Sequence, residues 1–205
     1  WSRRSSGGMR IISGTLGGRT IRTAAGPGYR PATDKVRQAL FSLLQARGIS
    51  WPGMRVLDLF AGSGSLAMEA LSRGAAWAGF VEKAGPAAAL IERNLKDFGV
   101  EPGRFRVFRQ DVAAFLRRFP GPPCDLVFID PPYGKGLLAP ALEALAPALA
   151  PDGVVVAEVE AAVGPEVAQE LPLDLFTDRT YGQTRILAWK NSPPAGPCTP
   201  APSIP

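Results

Sequence analysis

From Met54 to Lys190, short apolar runs alternate with segments whose apolar residues recur at helical spacing. "MRVLDLF", "AAWAGFVE", "FRVFRQD", "CDLVFID" and "GVVVAEVE" lack the in-out alternation of a half-buried strand, so they predict strands covered on both faces. Between them, "SLAMEALSRG", "GPAAALIERNLKDFG", "VAAFLRRF" and "LLAPALEALAPAL" predict helices, the last despite its internal prolines. Strand-helix alternation of this kind predicts the α/β class, a parallel sheet with helices on both sides. "LFTDRT" and "QTRILAWK" depart from the alternation and predict two strands joined at Tyr181-Gly182, an antiparallel pair closing the sheet. Upstream, "MRIISGTLGGRTIR" predicts a small β-hairpin around a Gly-rich turn. Thr33 is placed to cap a helix running to about Arg47, with Val36, Leu40, Leu43 and Leu44 as its apolar stripe.

No internal repeat is present, and the organisation follows from composition. Residues 1–8 are expected to be an untethered tail or an expression remnant, 9–50 a basic hairpin and helix, and 51–190 the main domain. Residues 191–205 contain six prolines and are expected to be disordered. The 205 residues, 46% hydrophobic and 20% charged, suffice for one sizeable core with a small appendage. No stretch reaches the roughly 18 apolar residues of a membrane helix, and "WSRRSSGG" lacks the apolar region of a secretory signal. A soluble, cytoplasmic monomer is the expectation. Cys124 and Cys198 are far apart and there is no histidine, so neither a framework disulfide nor a metal site is expected.

Charge changes the picture more than composition does. Residues 1–50 hold nine Lys/Arg against the single acid Asp34, giving +8, so the other 155 residues net −3 within the total of +5. A basic segment on a near-neutral domain marks a polyanion partner. Arg10, Arg19, Arg22, Arg30, Lys35 and Arg37 are the candidate RNA-binding residues.

In a parallel sheet, ligands bind beyond the carboxyl ends of the strands, near the point where strand order reverses. "DLFAGSGSLA" occupies that position after the first strand. Gly62 and Gly64 open the backbone to a ligand, and with Ala67 they also satisfy the dinucleotide pattern G-x-G-x-x-A, so a nicotinamide oxidoreductase is one reading. Asp58, just ahead of the glycines, would repel a pyrophosphate and welcome an ammonium and a sulfonium. Glu82 ends the second strand, where an acid accepts ribose hydroxyls, and Asp111 ends the third, within reach of an adenine amino group. Three acids on three successive strand ends favour S-adenosylmethionine. After the fourth strand, "DPPY" stops the chain with two prolines while presenting Asp130 and the Tyr133 ring. Pro131 and Pro132 make the turn either a stiff strand stop alone or a rigid mount that presents the Asp130 acceptor and the Tyr133 ring to a substrate.

"VLDLFAGSGSLAMEALSRGA" resembles the first motif of class I S-adenosylmethionine-dependent methyltransferases, and "DPPY" is similar to the motif of their nitrogen-methylating members. Together "MRIISGTLGGRTI", "RPATDKVRQALFSLL", "VEK", "DPPY" and "YGQTRILAWK", over residues 9–190, resemble the RsmD family of bacterial 16S rRNA (guanine-N2)-methyltransferases. The resemblance implies a seven-stranded Rossmann-like sheet and S-adenosylmethionine as cofactor. It also implies 16S rRNA or a small-subunit assembly particle as partner, in the bacterial cytoplasm. It assigns the cofactor to Asp58, Phe60, Ala61, Gly62, Gly64, Glu82, Lys83, Asp111 and Val112, and the target base to Asp130–Tyr133. Ala32 stands where the family often has threonine. DNA adenine-N6 methylation, protein glutamine-N5 methylation and a non-catalytic RNA-binding protein are the alternatives.

Overall fold

A computed structural model of the protein describes residues 9–23 and 34–192. The expected cap Thr33, the basic Arg30, Ala32, residues 1–8 and the tail from 193 lie outside the described residues.

The elements run α1 (Asp34–Ala46), β1 (Arg55–Leu59), α2 (Ser65–Ser72), β2 (Trp77–Val81), α3 (Gly85–Asp97), β3 (Phe105–Phe108), α4 (Val112–Leu116), β4 (Cys124–Ile129), α5 (Leu138–Glu143), β5 (Leu149–Glu160), β6 (Leu173–Tyr181) and β7 (Thr184–Asn191). They form one seven-stranded sheet in the order β3-β2-β1-β4-β5-β7-β6. β1 to β5 are parallel and β7 is antiparallel to both β5 and β6. The chain moves outward from β1 to β3 and then crosses back to β4, so the reversal of strand order lies between β1 and β4. A crevice is expected at their carboxyl ends.

The central strands carry no polar stripe because both faces are covered. One face holds Val56, Leu126, Phe128, Val154 and Val156 against α1, α2, α3 and the N-terminal segment. The other holds Leu57, Leu59, Val127, Ile129 and Val155 against α4 and α5. Phe41, Phe128 and Phe115 are among the largest fully buried side chains, and each contributes roughly 1.5 to 3 kcal/mol on burial. No helix among the described residues is long and apolar enough to cross a membrane.

Element boundaries depart from expectation where proline or packing intervenes. The helix expected over "LLAPALEALAPAL" ends at Glu143, and a short 3-10 turn spans Ala146–Ala148. Pro140 is tolerated in the first turn, whereas Pro147 has no N–H for the Glu143 carbonyl. In α1 Leu40 and Leu44 of the expected stripe are buried together with Arg37 and Phe41, while Val36 and Leu43 are half-buried at its margin, because the Phe41 ring packs on Trp51 and Phe128. The final hairpin turns at Gly182-Gln183, one residue later than expected, with Tyr181 paired to Thr184 and Gly182 at φ 63°.

The N-terminal hairpin is irregular. A single bridge joins Arg10 and Thr20, supported by Ile21 N–H donating to the Met9 carbonyl at 2.8 Å. Its turn is bound to α2 as well as to itself, Gly18 N–H donating to the Ile11 carbonyl at 2.8 Å. Glu69, fully buried, accepts the backbone N–H of Ile12 at 2.7 Å and of Ser13 at 3.0 Å and pairs with Arg73 at 2.9 Å. Thr15 N–H donates to the Ser72 carbonyl at 2.8 Å. Gly14 makes that approach possible: its φ is +83°, and a Cβ there would lie 1.9 Å from the Ser72 oxygen. Every residue of α2 is consequently buried.

Candidate active site

The loop after β1 leaves the sheet through Phe60, a non-glycine residue at φ 60°, and Gly62 at φ 53°. Ala61 is buried and its N–H donates to the Val81 carbonyl at 3.0 Å, which ties the loop to β2. Gly64 precedes α2 at φ +74°, and a Cβ there would lie 3.1 Å from the Phe80 ring and 3.2 Å from Ile91. The positive φ favours glycine there, and a Cβ would also press on those two side chains. Glu82 holds the loop from the neighbouring strand, its Oε2 accepting Gly62 N–H at 2.9 Å and its Oε1 accepting Ala84 N–H at 2.7 Å. A carboxylate keeps further lone pairs beyond those two bonds, so Glu82 can still accept hydroxyls.

Beyond these strand ends an open cleft is lined by Phe60, Val81, Glu82, Lys83, Gln110, Asp111, Val112, Asp130 and Pro132. It brings together five of the residues expected to hold a cofactor with two of the expected base-binding loop, and adds Val81 and Gln110. Asp111 lies past the end of β3 and caps α4, its Oδ1 accepting Ala113 N–H at 3.0 Å and Ala114 N–H at 3.3 Å. Asp58, Ala61, Gly62 and Gly64 are not part of this wall. Asp58 is buried beneath the loop, where its Oδ2 accepts Ala67 N–H at 3.2 Å. Burial pushes its carboxyl up to about 8, and the charge of Glu82 adds to the rise.

The Asp-Pro-Pro-Tyr loop is braced from the C-terminal side of the sheet. Asp130 N–H reaches the Leu59 carbonyl at 3.4 Å, which keeps the first residue in register with β1. Tyr133 OH bonds Thr184 Oγ1 at 3.1 Å, and Gly134 N–H donates to Glu160 Oε1. The phenol is therefore fixed while 38% of Tyr133 remains exposed, an arrangement suited to stacking. Thr184 and Glu160 were not among the expected site residues; "YGQT" carries the threonine, and nothing local marks its partner.

Asp130 has two acidic neighbours across the sheet. Asp58 pairs in register with Phe128, and Ile129 with Ala157, so Glu158 is the next residue on β5 opposite Asp130. Strand alternation puts Asp58, Asp130 and Glu158 on the face occupied by Phe128 and Val156. Burial, then Glu158, then Asp58 raise the Asp130 carboxyl well above the usual carboxylate range. Glu158, 4% exposed, is pushed up to about 7 by burial, and the positive charge of Arg37 opposes that rise.

The basic residues divide. Arg10, Arg19, Arg22 and Lys35 are exposed. Arg22 pairs with Asp97, and Arg19 lies 5.7 Å over the Phe98 ring. Arg37 departs from the expected phosphate-facing role: it is fully buried, and its Nη2 donates to the Arg10 carbonyl at 2.6 Å and to Asp34 Oδ1 at 2.7 Å. The helix turns toward the sheet at this position because Phe41, one turn on, is drawn into the core.

Residues 9–190 match the family described as Conserved hypothetical protein 95. The Bacillus subtilis (strain 168) protein YlbH is 35% identical over 192 residues, covering 89% of this chain and 98% of that one. Ribosomal RNA small subunit methyltransferase D of Escherichia coli (strain K12) is 40% identical over 133 residues, 65% of this chain and 64% of that protein. Among solved structures, the Escherichia coli protein YhhF superposes with a TM-score of 0.76 at 32% identity, covering 91% of this chain and 99% of that one. The sheet order, the strand-end acids and this near-complete overlap agree: the chain belongs to the RsmD family of methyltransferases and has their class I fold.

Proposed function

We propose that this protein transfers a methyl group from S-adenosylmethionine to the exocyclic N2 of a guanine in small-subunit ribosomal RNA. The observation that carries the reading is the position of Asp130. It directly follows β4 beside the reversal of strand order, lines the same cleft as Glu82 and Asp111, and starts a loop whose Tyr133 is held by its hydroxyl and stays 38% exposed. The relative named for methylation of small-subunit ribosomal RNA supports the substrate class.

The residues present fit the cofactor. Glu82 keeps acceptor capacity for ribose hydroxyls at a cleft walled by Phe60, Val81 and Val112, and Asp111 Oδ2 takes neither of the two capping bonds. Lys83 and Gln110 complete the polar rim. When bound, the cofactor supplies a methyl group carried on a positively charged sulfur. Asp58 contributes from beneath, holding the start of α2 through Ala67.

A purine amine is a weak nucleophile because its lone pair is delocalised into the ring. In this reading Asp130 Oδ and the Pro131 carbonyl accept its two hydrogens, which withdraws the lone pair from the ring and localises it on the nitrogen, toward the methyl group. The two prolines hold both acceptors, so orientation is the main catalytic contribution. The methylated nitrogen is strongly acidic and releases its proton to Asp130 Oδ or to water; the chain has no histidine for the task.

Labelled methyl transfer to ribosomal RNA and to small-subunit particles, followed by nucleoside analysis, tests the reading. N2-methylguanosine is the expected product. N6-methyladenosine in DNA or a methylated glutamine would overturn it. Asp130→Ala is expected to lower transfer by at least about a hundredfold while cofactor affinity, read by calorimetry, stays close to wild type.

A further inference from the structure

Asp130 is the group on which the proposed chemistry turns, and its immediate partner was not among the expected site residues. Glu158 belongs to the apolar run "GVVVAEVE", where an acid on the covered face of the sheet serves no packing purpose. The Ile129–Ala157 register, continued by one residue past the end of β4, puts it opposite Asp130. Among the described residues its Oε2 is buried without a hydrogen-bond partner, and so are Nε and Nη1 of Arg37. A carboxylate and a guanidinium buried in one small region, each with unused hydrogen-bonding capacity, form an unusual arrangement.

We propose that Glu158, with Arg37 as its counter-charge, is a positioning residue for Asp130: it determines how much negative charge the loop carboxylate carries when the target amine arrives. The inference rests on the methyltransferase reading above. Ionised, Asp130 offers both oxygens as strong acceptors to the amine; protonated, it keeps only its carbonyl oxygen as a weaker acceptor and adds an O–H that competes with the amine as a donor. Two buried carboxyls side by side cannot both be ionised without strong repulsion, so they titrate as a pair. Asp58 from β1 and Glu158 from β5 face Asp130, and Tyr133 follows on its own loop with Glu160, the end of β5, beside it. All but Tyr133 add negative charge. Arg37, reaching in from α1, supplies the opposing positive charge through its effect on Glu158. The basic N-terminal helix is thereby connected electrostatically to the methyl-accepting site, through a residue buried among the core side chains of α1.

Two measurements test the proposal, and one needs neither cofactor nor RNA. In the free protein with 13C-labelled carboxyls, the Asp130 resonance should titrate about one pH unit lower in Glu158→Gln than in wild type. Glutamine preserves shape and hydrogen bonding, and an unchanged thermal midpoint below pH 6 verifies the fold. In methyl transfer to ribosomal RNA at saturating cofactor, the acidic limb of kcat should move to lower pH in Glu158→Gln. It should move to higher pH in Arg37→Gln, and return toward wild type in Arg37→Lys. Superimposable Asp130 titrations, or a loss of transfer equal at every pH, would overturn the proposal. A wild-type protein that methylates no ribosomal RNA while the titration shift appears would instead overturn the functional reading and leave the charge coupling standing.

Discussion

Asp58 and Glu158 are carboxyls that the folded protein holds mostly protonated in a pH range where the unfolded chain ionises them. Asp58 stands at about 8 against 3.8 unfolded, and Glu158 at about 7 against 4.5. Between those limits the native state binds more protons, so stability is full below about pH 4 and falls as pH rises toward 8. The thermal midpoint should therefore drop by on the order of 5 °C between pH 5 and pH 8. Asp58→Asn, which can still accept Ala67 N–H, should flatten the profile and raise the midpoint at pH 8. An equally steep profile in the variant would place the ionisable groups elsewhere. A cationic ligand in the cleft would favour the ionised form of Asp58, so cofactor affinity is expected to rise with pH through the same window. Cys124 takes no part, since burial pushes its thiol up to about 12.

Elements were legible in the sequence where both faces are covered, because burial there removes polar alternation and leaves continuous apolar runs. The five parallel strands and their class followed from that pattern, while the closing hairpin, with its exposed outer strand, was read from its departure from it. Boundaries were less legible because they depend on which backbone bonds prolines remove and which face the tertiary contacts select, as Pro147 and Phe41 illustrate. The candidate site divides in the same way. Acids at strand ends and the Asp-Pro-Pro-Tyr stop are local features and could be read. Thr184, Glu160 and Glu158 could not, because they meet the loop through strand register, which a single strand does not encode. Arg37 was misplaced for a related reason: its charge suggested a surface, and only packing of α1 buries it. The junction between hairpin and α2 is a further non-local feature with a measurable contribution. Glu69→Ala removes the acceptor for Ile12, Ser13 and Arg73 and should destabilise the protein by about 3 kcal/mol in denaturant unfolding, the low end for a buried pair because Arg73 retains some solvent contact. A loss under about 1 kcal/mol would mean the hairpin is held mainly by its apolar residues.

For the whole molecule, the division between a basic first segment and a near-neutral sheet gives polyanion binding a direction. With Arg37 buried and Arg22 paired, the exposed Arg10 and Lys35 are the better candidates for phosphate contact. Neutralising both to glutamine should weaken RNA binding and reduce the slope of log affinity against log salt by roughly 1 per contact; an unchanged slope would move the RNA surface elsewhere. Met9, Ile11 and Ile21 are buried in the same core as β1 and β4, and the turn between them is tied to Glu69 and Ser72 of α2. Over its described residues 9–23 the appendage is set into the core and forms a fixed wall. On the proposed reading the moving part is then the nucleic acid, which must bring its base out of the stack to a receptor that is already formed. Preference among targets follows from the ease of that excursion: a guanine already unpaired is modified faster than the same guanine inside a perfect duplex, although the protein makes the same contacts with both once the base has arrived.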